Sequence, residues 1–293
     1  MSSLSKSMAG KVCAVTGANA GIGKATVLGL AHLGATVLMV CRSRERGEAA
    51  LAEIKEISGN NQASLLVADL SSQSEIRKLA KAFKSQHSAL HVLINNAGII
   101  PRIREVTVDG LETQFAVNHL ASFLLTNLLL DMLKSSAPAR VVTVASDMHR
   151  GATIDFDDLQ SERAYKALRV YCRTKLANVL FTKELARRLL GAGVTANCLH
   201  PGVIATKLLA DGMGMPRALR PTTRLIGSSP DKGAKTSIYL ATSPEVEGVS
   251  GKYFVRQKTV ESSKVSHDEN MASQLWRVSA ELTGLSQSVK IRD

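Results

Sequence analysis

Residues 11–33 read KVCAVTGANAGIGKATVLGLAHL. The first six, Lys11 to Thr16, form a short apolar, β-branched run, the pattern of a strand buried on both faces. Gly21 to Leu33 carries helical spacing. The joint between them is Thr16-Gly17-Ala18-Asn19-Ala20-Gly21-Ile22-Gly23, with glycines spaced G-x-x-x-G-x-G. Glycines at such a joint permit a tight turn and let a pyrophosphate approach the backbone. The helix that follows offers unpaired N–H groups and the positive end of its dipole. A structural turn alone needs no such crowding of glycine between a strand and a helix.

The same alternation continues outward. Ala35 to Cys41, Ala63 to Ala68, Leu90 to Ile94, Arg140 to Ala145, Val194 to Leu199 and Lys252 to Val255 repeat the strand signature. Amphipathic stretches lie between them: Arg44 to Ser58, Ser71 to Ser85, Gly110 to Lys134, Ala164 to Leu190 and Asp231 to Thr242. Strand–helix alternation of this kind predicts βαβ units, hence an α/β fold with a parallel sheet of about seven strands and helices on both faces. No linker or internal repeat divides the chain. The reading is one domain over 11–285, between a flexible N-terminus (1–10) and a tail (286–293). A loop-rich segment over about 205–230, with Gly212, Gly214, Pro216 and Pro221, reads as a mobile substrate loop. A last helix, Asp268 to Leu282, carries the only tryptophan, Trp276.

Composition excludes several classes. Apolar residues make up 45% of the 293 and charged residues 21%, which is globular rather than disordered or low-complexity. Cys13, Cys41, Cys172 and Cys198 are far apart, so neither a disulfide scaffold nor a metal site is expected. The net charge of +12 favours anionic partners. Its cations are scattered, the densest cluster being Arg42 to Arg46, and aromatics are only 4%, so no nucleic-acid surface is expected. Leu120 to Leu133 is too short and too interrupted by polar residues to span a bilayer. Residues 1–11 carry no apolar leader core. The expectation is a soluble protein of the cytoplasm or another reducing compartment.

Two further features carry chemistry. The second strand run ends at Cys41, where a dinucleotide-binding fold that prefers NAD places a carboxylate; Arg42 follows instead. A guanidinium there pairs with a 2′-phosphate, which points to NADP(H), with Arg46 as an assistant. Tyr171 and Lys175 lie at i and i+4 on one helix face. An ammonium beside a phenol favours the phenolate and tunes it for proton exchange with a carbonyl or alcohol.

These residues resemble the short-chain dehydrogenase/reductase family along nearly the whole chain. The resemblance rests on the Thr16 to Gly23 turn, Asp69-Leu70, Asn95-Asn96-Ala97-Gly98, Asn118, Ser146, Tyr171 with Lys175, and Pro201-Gly202 with Thr206. Tyr171 to Leu190, Leu199-His200-Pro201-Gly202 and the LWRVSAELTGL tail are similar to its retinol dehydrogenase-like branch. The resemblance implies a Rossmann-type, doubly wound sheet and an NADP(H)-dependent oxidoreductase that interconverts a lipophilic aldehyde or ketone with its alcohol.

It also implies roles. Tyr171 is the general acid/base; Lys175 lowers its pKa and holds the nicotinamide ribose. Ser146 holds the substrate oxygen, and Asn118 supports a water-linked proton relay. Gly17, Asn19, Ala20, Gly21, Ile22, Gly23, Arg42, Asp69, Leu70, Asn95, Ala97, Gly98, Pro201, Gly202, Val203 and Thr206 complete the cofactor site. Departures are a single serine after Ala145, 25 residues between Ser146 and Tyr171, and additional residues around Asp155 to Leu159. No counterpart of the membrane-anchoring N-terminal helix of several retinol-type members is expected in residues 1–11. The mixed cationic and apolar 205–230 segment leaves peripheral membrane contact open. Family members pair through helices that correspond to 110–134 and 164–190, so a homo-oligomer is open too, although the same apolar faces suit core. His149 and His200 read as loop or packing residues. The alternative to an enzyme is an NADPH-binding regulatory or scaffold protein with little or no turnover.

Overall fold

The computed structural model describes residues 7–202 and 228–285. Eight strands form one sheet: β1 (Val12–Thr16), β2 (Thr36–Cys41), β3 (Ala63–Val67), β4 (Val92–Asn95), β5 (Ala139–Val144), β6 (Val194–His200), β7 (Tyr253–Val255) and β8 (Lys258–Thr259). Their order is β3-β2-β1-β4-β5-β6-β7-β8. All neighbours run parallel except β7 and β8. The sequence predicted about seven strands, and the eighth is a two-residue antiparallel addition at the edge. Winding reverses between β1 and β4, the place where such sheets open a crevice for ligands.

Strand residues face alternately into two cores. Cys13, Val15, Val37, Met39, Ile94 and Val142 pack on one side against α1 (Gly21–His32), α2 (Arg44–Ser58) and the later helix over Pro230–Thr242. Ala14, Leu38, Val40, Leu93 and Val141 pack on the other side, against α3 (Gln73–Gln86) and the helices after β4 and β5. Burial on both faces explains why the strand runs are continuously apolar.

The predicted helix over 110–134 is broken into pieces: α4 (Thr113–Phe115), a π-helical turn (Ala116–Leu120), α5 (Ala121–Leu128) and α6 (Leu130–Ser135). The buried Glu112 carboxylate caps its start, accepting the Gln114 and Phe115 amides at 2.8 and 2.7 Å. The long α7 (Ala167–Arg188) follows β5, α8 (Pro230–Thr242) follows β6, and α9 (Glu269–Leu282) ends the fold.

α9 lies across α5 and α7. Trp276 meets Phe123 edge-on at 4.9 Å and stacks on Phe181 at 5.9 Å. The Arg188 guanidinium sits 4.4 Å from the Trp276 ring centre. Leu124, Leu125 and Leu129 are buried in the same core. Of the described residues, no helix is long and apolar enough to cross a membrane.

Candidate active site

The glycine turn is braced from β1 and β4. Gly17 and Gly21 take φ of +65° and +54°, a region costly for any other residue. A Cβ on Gly23 would stand 2.2 Å from the Gly17 carbonyl oxygen, so α1 can start this close to the turn only with glycine there. The Asn96 side-chain amide donates to the carbonyls of Thr16 (2.8 Å) and Gly17 (3.2 Å). In return the Thr16 hydroxyl oxygen accepts the Asn96 and Ala97 amides, both at 3.0 Å. Ala20 precedes the first residue of α1, and its side chain caps nothing. The first amides of the helix therefore suit an anionic ligand, and Asn19, Ala20 and Ile22 lie in that opening turn.

Arg42 and Asp69 follow the adjacent strands β2 and β3. The exposed Arg42 guanidinium stands 3.9 Å from the Asp69 carboxylate, which also accepts the Ser71 amide and hydroxyl at 2.9 and 2.7 Å. Two predicted cofactor residues are placed differently from the rest. Leu70 packs against the core. Asn95 is buried, and its amide donates to the Thr126 hydroxyl at 3.0 Å beneath the crevice. The neighbouring Asn96 is the one that grips the turn.

The second group stands after β5 and on α7. Tyr171 and Lys175 are both buried, with the Lys175 amine 5.4 Å from the Tyr171 ring centre. That amine donates to the Val144 carbonyl at 2.9 Å. Gly98 passes close by: a Cβ there would lie 3.6 Å from Lys175 Nζ and 3.5 Å from Asn118 Oδ1. The Asn118 side chain is committed to backbone and helix. Its Oδ1 accepts the Ile99 amide at 2.8 Å, and its Nδ2 donates to the Ile99 carbonyl at 3.0 Å and the Thr174 hydroxyl at 3.1 Å. Asn118 sits in the π-helical turn, a device that interrupts regular helical pairing and concentrates at functional sites.

Electrostatics corrects one expectation. Burial pushes the Tyr171 phenol up to about 12, although the Ser146 hydroxyl beside it pulls the other way. Desolvation thus outweighs the pull of the Ser146 hydroxyl, and the phenol lies above its ordinary range rather than below it. The lysine itself is brought down by burial to about 8. At neutral pH the phenol holds its proton and the amine its charge.

Asn118, Ser146, Tyr171 and Lys175 are thus brought to one place, with Gly98 between Asn118 and Lys175. Pro201 and Gly202 follow β6 at the same edge of the sheet. Val203, Thr206 and most of the 205–230 segment lie outside the described residues. No cluster of His, Cys, Asp and Glu able to hold a metal occurs among the described residues.

A sheet of this winding holds dinucleotides at its reversal, and a phenol one turn from an amine suits proton exchange. Together they place the chain among the α/β oxidoreductases that act on alcohols and carbonyls with NAD(P). Comparison with known proteins narrows the class. The family model for short chain dehydrogenase matches residues 11–213. The chain is 45% identical to Retinol dehydrogenase 14 of Homo sapiens over 295 residues, covering 95% of this chain and 88% of that one. A crystal structure of a protein from Mycobacterium paratuberculosis superposes with a TM-score of 0.77 at 35% identity, over 94% of each chain. The NADP active-site complex of Pseudomonas aeruginosa RhlG does so at 0.68 and 26%, over 85% of this chain and 95% of that one. The chain belongs to the short-chain dehydrogenase/reductase family, in its retinol dehydrogenase-like branch.

Proposed function

We propose that this protein is an NADP(H)-dependent reductase of lipophilic aldehydes or ketones, running in reverse as an alcohol dehydrogenase, with Tyr171 as general acid/base. The observation that carries the reading is the buried Tyr171–Lys175 pair beside Ser146, at the sheet edge that also holds the glycine turn. When bound, the nicotinamide supplies the hydride acceptor or donor.

The residues fit such a cofactor. The uncapped start of α1 and the Gly17–Gly23 turn would take the pyrophosphate. Arg42, exposed at the end of β2, would pair with a 2′-phosphate, and the RhlG complex holds NADP in a similar fold. Asp69 would meet the adenine. Ala97 and Gly98 would line the nicotinamide half, with Pro201, Gly202, Val203 and Thr206 on its far side.

The proton steps belong to the chain. Ser146 donates its hydroxyl hydrogen to the substrate oxygen and polarises the carbonyl. Tyr171, protonated at neutral pH, gives its proton to that oxygen in reduction and takes one back in oxidation. The charged Lys175 amine offsets the negative charge that the phenol then gains. Asn118 holds Ile99 and the Tyr171 helix in register. The relatives' name supports a lipophilic substrate, since retinol is an apolar alcohol.

The test is NADPH consumption against a panel of lipophilic aldehydes and ketones, with wild type and Tyr171→Phe side by side. Turnover lost in the variant with NADPH binding kept supports the reading. Tight NADPH binding without turnover in either protein replaces it with a regulatory binding role.

A further inference from the structure

The serine of the site is held by a residue outside it. Ser146 opens a short 3-10 turn, Asp147–Gly151, in which His149 is fully buried. The Ser146 carbonyl accepts the His149 backbone amide at 3.1 Å and stands 2.6 Å from the same residue's ring Nδ1. The other ring nitrogen, Nε2, accepts the backbone amide of Ser263 at 3.0 Å. A backbone N–H can only donate, so Nε2 bears a lone pair and no proton. The ring's one proton is therefore on Nδ1, and it is donated to the Ser146 carbonyl. Two backbone groups thus dictate the tautomer.

The surroundings support a fixed, neutral ring. The Tyr253 ring packs edge-on at 4.8 Å, and burial holds the imidazole below its ordinary range. The Asp147 amide donates to His200 Nδ1 at 3.2 Å, so a second imidazole accepts from the same turn. Arg150 fastens the turn outward, to the Asp147 carboxylate at 2.7 Å and the Glu261 carbonyl at 2.6 Å.

The consequence falls on the Ser146 hydroxyl. Two donors on its carbonyl fix the extended backbone of Ser146 (φ −162°, ψ 153°) and so the direction of its Cβ. Its Oγ then accepts the Met148 amide at 3.3 Å. Among the described residues the hydroxyl hydrogen is given to no backbone group, and the hydroxyl stands beside the Tyr171 phenol, where a substrate oxygen would meet both.

We propose that His149 is the positioning residue of Ser146: as the Nδ1–H imidazole it ties the Ser146 carbonyl to the Ser263 backbone and aims the serine hydroxyl into the site. The inference rests on the reading of Ser146 as the group that holds the substrate oxygen.

Two conservative variants separate the two ring bonds. In His149→Asn the side-chain amide nitrogen takes the place of Nδ1 and keeps the donation to Ser146. In His149→Gln the amide oxygen reaches the Nε2 position and keeps only the acceptor for Ser263. The net worth of one hydrogen bond predicts roughly a tenfold fall in kcat for Gln and less than about threefold for Asn, with NADPH affinity and melting temperature alike in both. Equal activities in the two variants overturn the proposal, as do losses that follow melting temperature.

The 15N spectrum of the His149 ring, assigned by its absence in His149→Gln, gives a readout that needs no turnover. A neutral ring protonated on Nδ1 at pH 7 supports the clamp; protonation on Nε2, or on both nitrogens, overturns it. Absence of wild-type turnover alongside an Nδ1–H ring counts against the proposed function alone.

Discussion

The Gly17–Gly23 turn and the Ser146–Lys175 group share one edge of the sheet but are specified in different ways. The turn is a matter of shape: positive φ at Gly17 and Gly21, a Cβ forbidden at Gly23, and an asparagine and a threonine that grip backbone. Its charged neighbours, Arg42 and Asp69, are solvent-accessible. The other group is a matter of protonation. It buries a phenol, an amine and an imidazole, at 171, 175 and 149, with a second imidazole, His119, in the helical core one residue on from Asn118, and burial displaces the pKa of each. Substitutions in the first region are thus expected to change binding and folding at any pH. Those in the second are expected to change turnover or pH response.

The largest effect tests the second region. Tyr171→Phe is expected to cut kcat roughly 10²- to 10⁴-fold while NADPH still quenches protein fluorescence at wild-type concentrations. Equal loss of binding would erase the distinction. Next is the first region: Gly23→Ala forces a methyl against the Gly17 carbonyl and is expected to cost about 3 kcal/mol in denaturant melts, the upper end for overpacking. Its cost should be the same at pH 6 and pH 8; a strong pH dependence would show that the turn, too, is governed by charge.

The pH response itself sharpens the contrast. His119 is buried among Phe115, Phe123 and Phe181, with Nε2 at 2.9 Å from the Ser279 hydroxyl, and burial lowers it to about 4. The fold excludes the proton that the unfolded chain binds below about 6.5. This contribution to stability is whole above pH 6.5 and is lost progressively as pH falls toward 4, on the order of 3 kcal/mol in all. His119→Gln should flatten that stretch of a urea-stability profile; an unchanged slope would move the acid sensitivity to other groups. The smallest effect returns to the turn's side. Arg42→Ala is expected to weaken NADPH about tenfold, with NADH little changed, as loss of one charge-assisted contact implies. Equal weakening of both would deny Arg42 a role in reading the 2′-phosphate.

Much of this was legible in the residues. Seven strands follow from continuous apolar runs, and α2 spans the predicted Arg44 to Ser58, with Ser43 capping its start. The eighth strand was not legible for a physical reason. Lys258 and Thr259 are exposed and carry no pattern, and the two-residue turn before them places Arg256 and Gln257 at φ of 51° and 64°. Such turns ordinarily announce themselves with Asn or Gly. The π-helical turn at Asn118 likewise has no composition of its own.

At the site, spacing brought Tyr171 and Lys175 onto one face, yet it could not give the direction of the phenol's shift, because burial depends on the whole fold. Adjacent Asn95 and Asn96 look interchangeable in sequence; only the strand end decides which faces the core and which the turn. In the sequence His149 reads as a loop or packing residue, because its ring bonds go to backbone groups, which leave no mark there.

Trp276, finally, is the chain's only indole, and it is wedged between Phe123, Phe181 and Arg188 under α9. The molecule therefore carries a built-in optical reporter for a single event, the seating of its last helix. A red shift of tryptophan emission that precedes the loss of far-ultraviolet dichroism would show α9 lifting from a still-folded sheet. Coincident signals would show that helix and sheet melt as one unit.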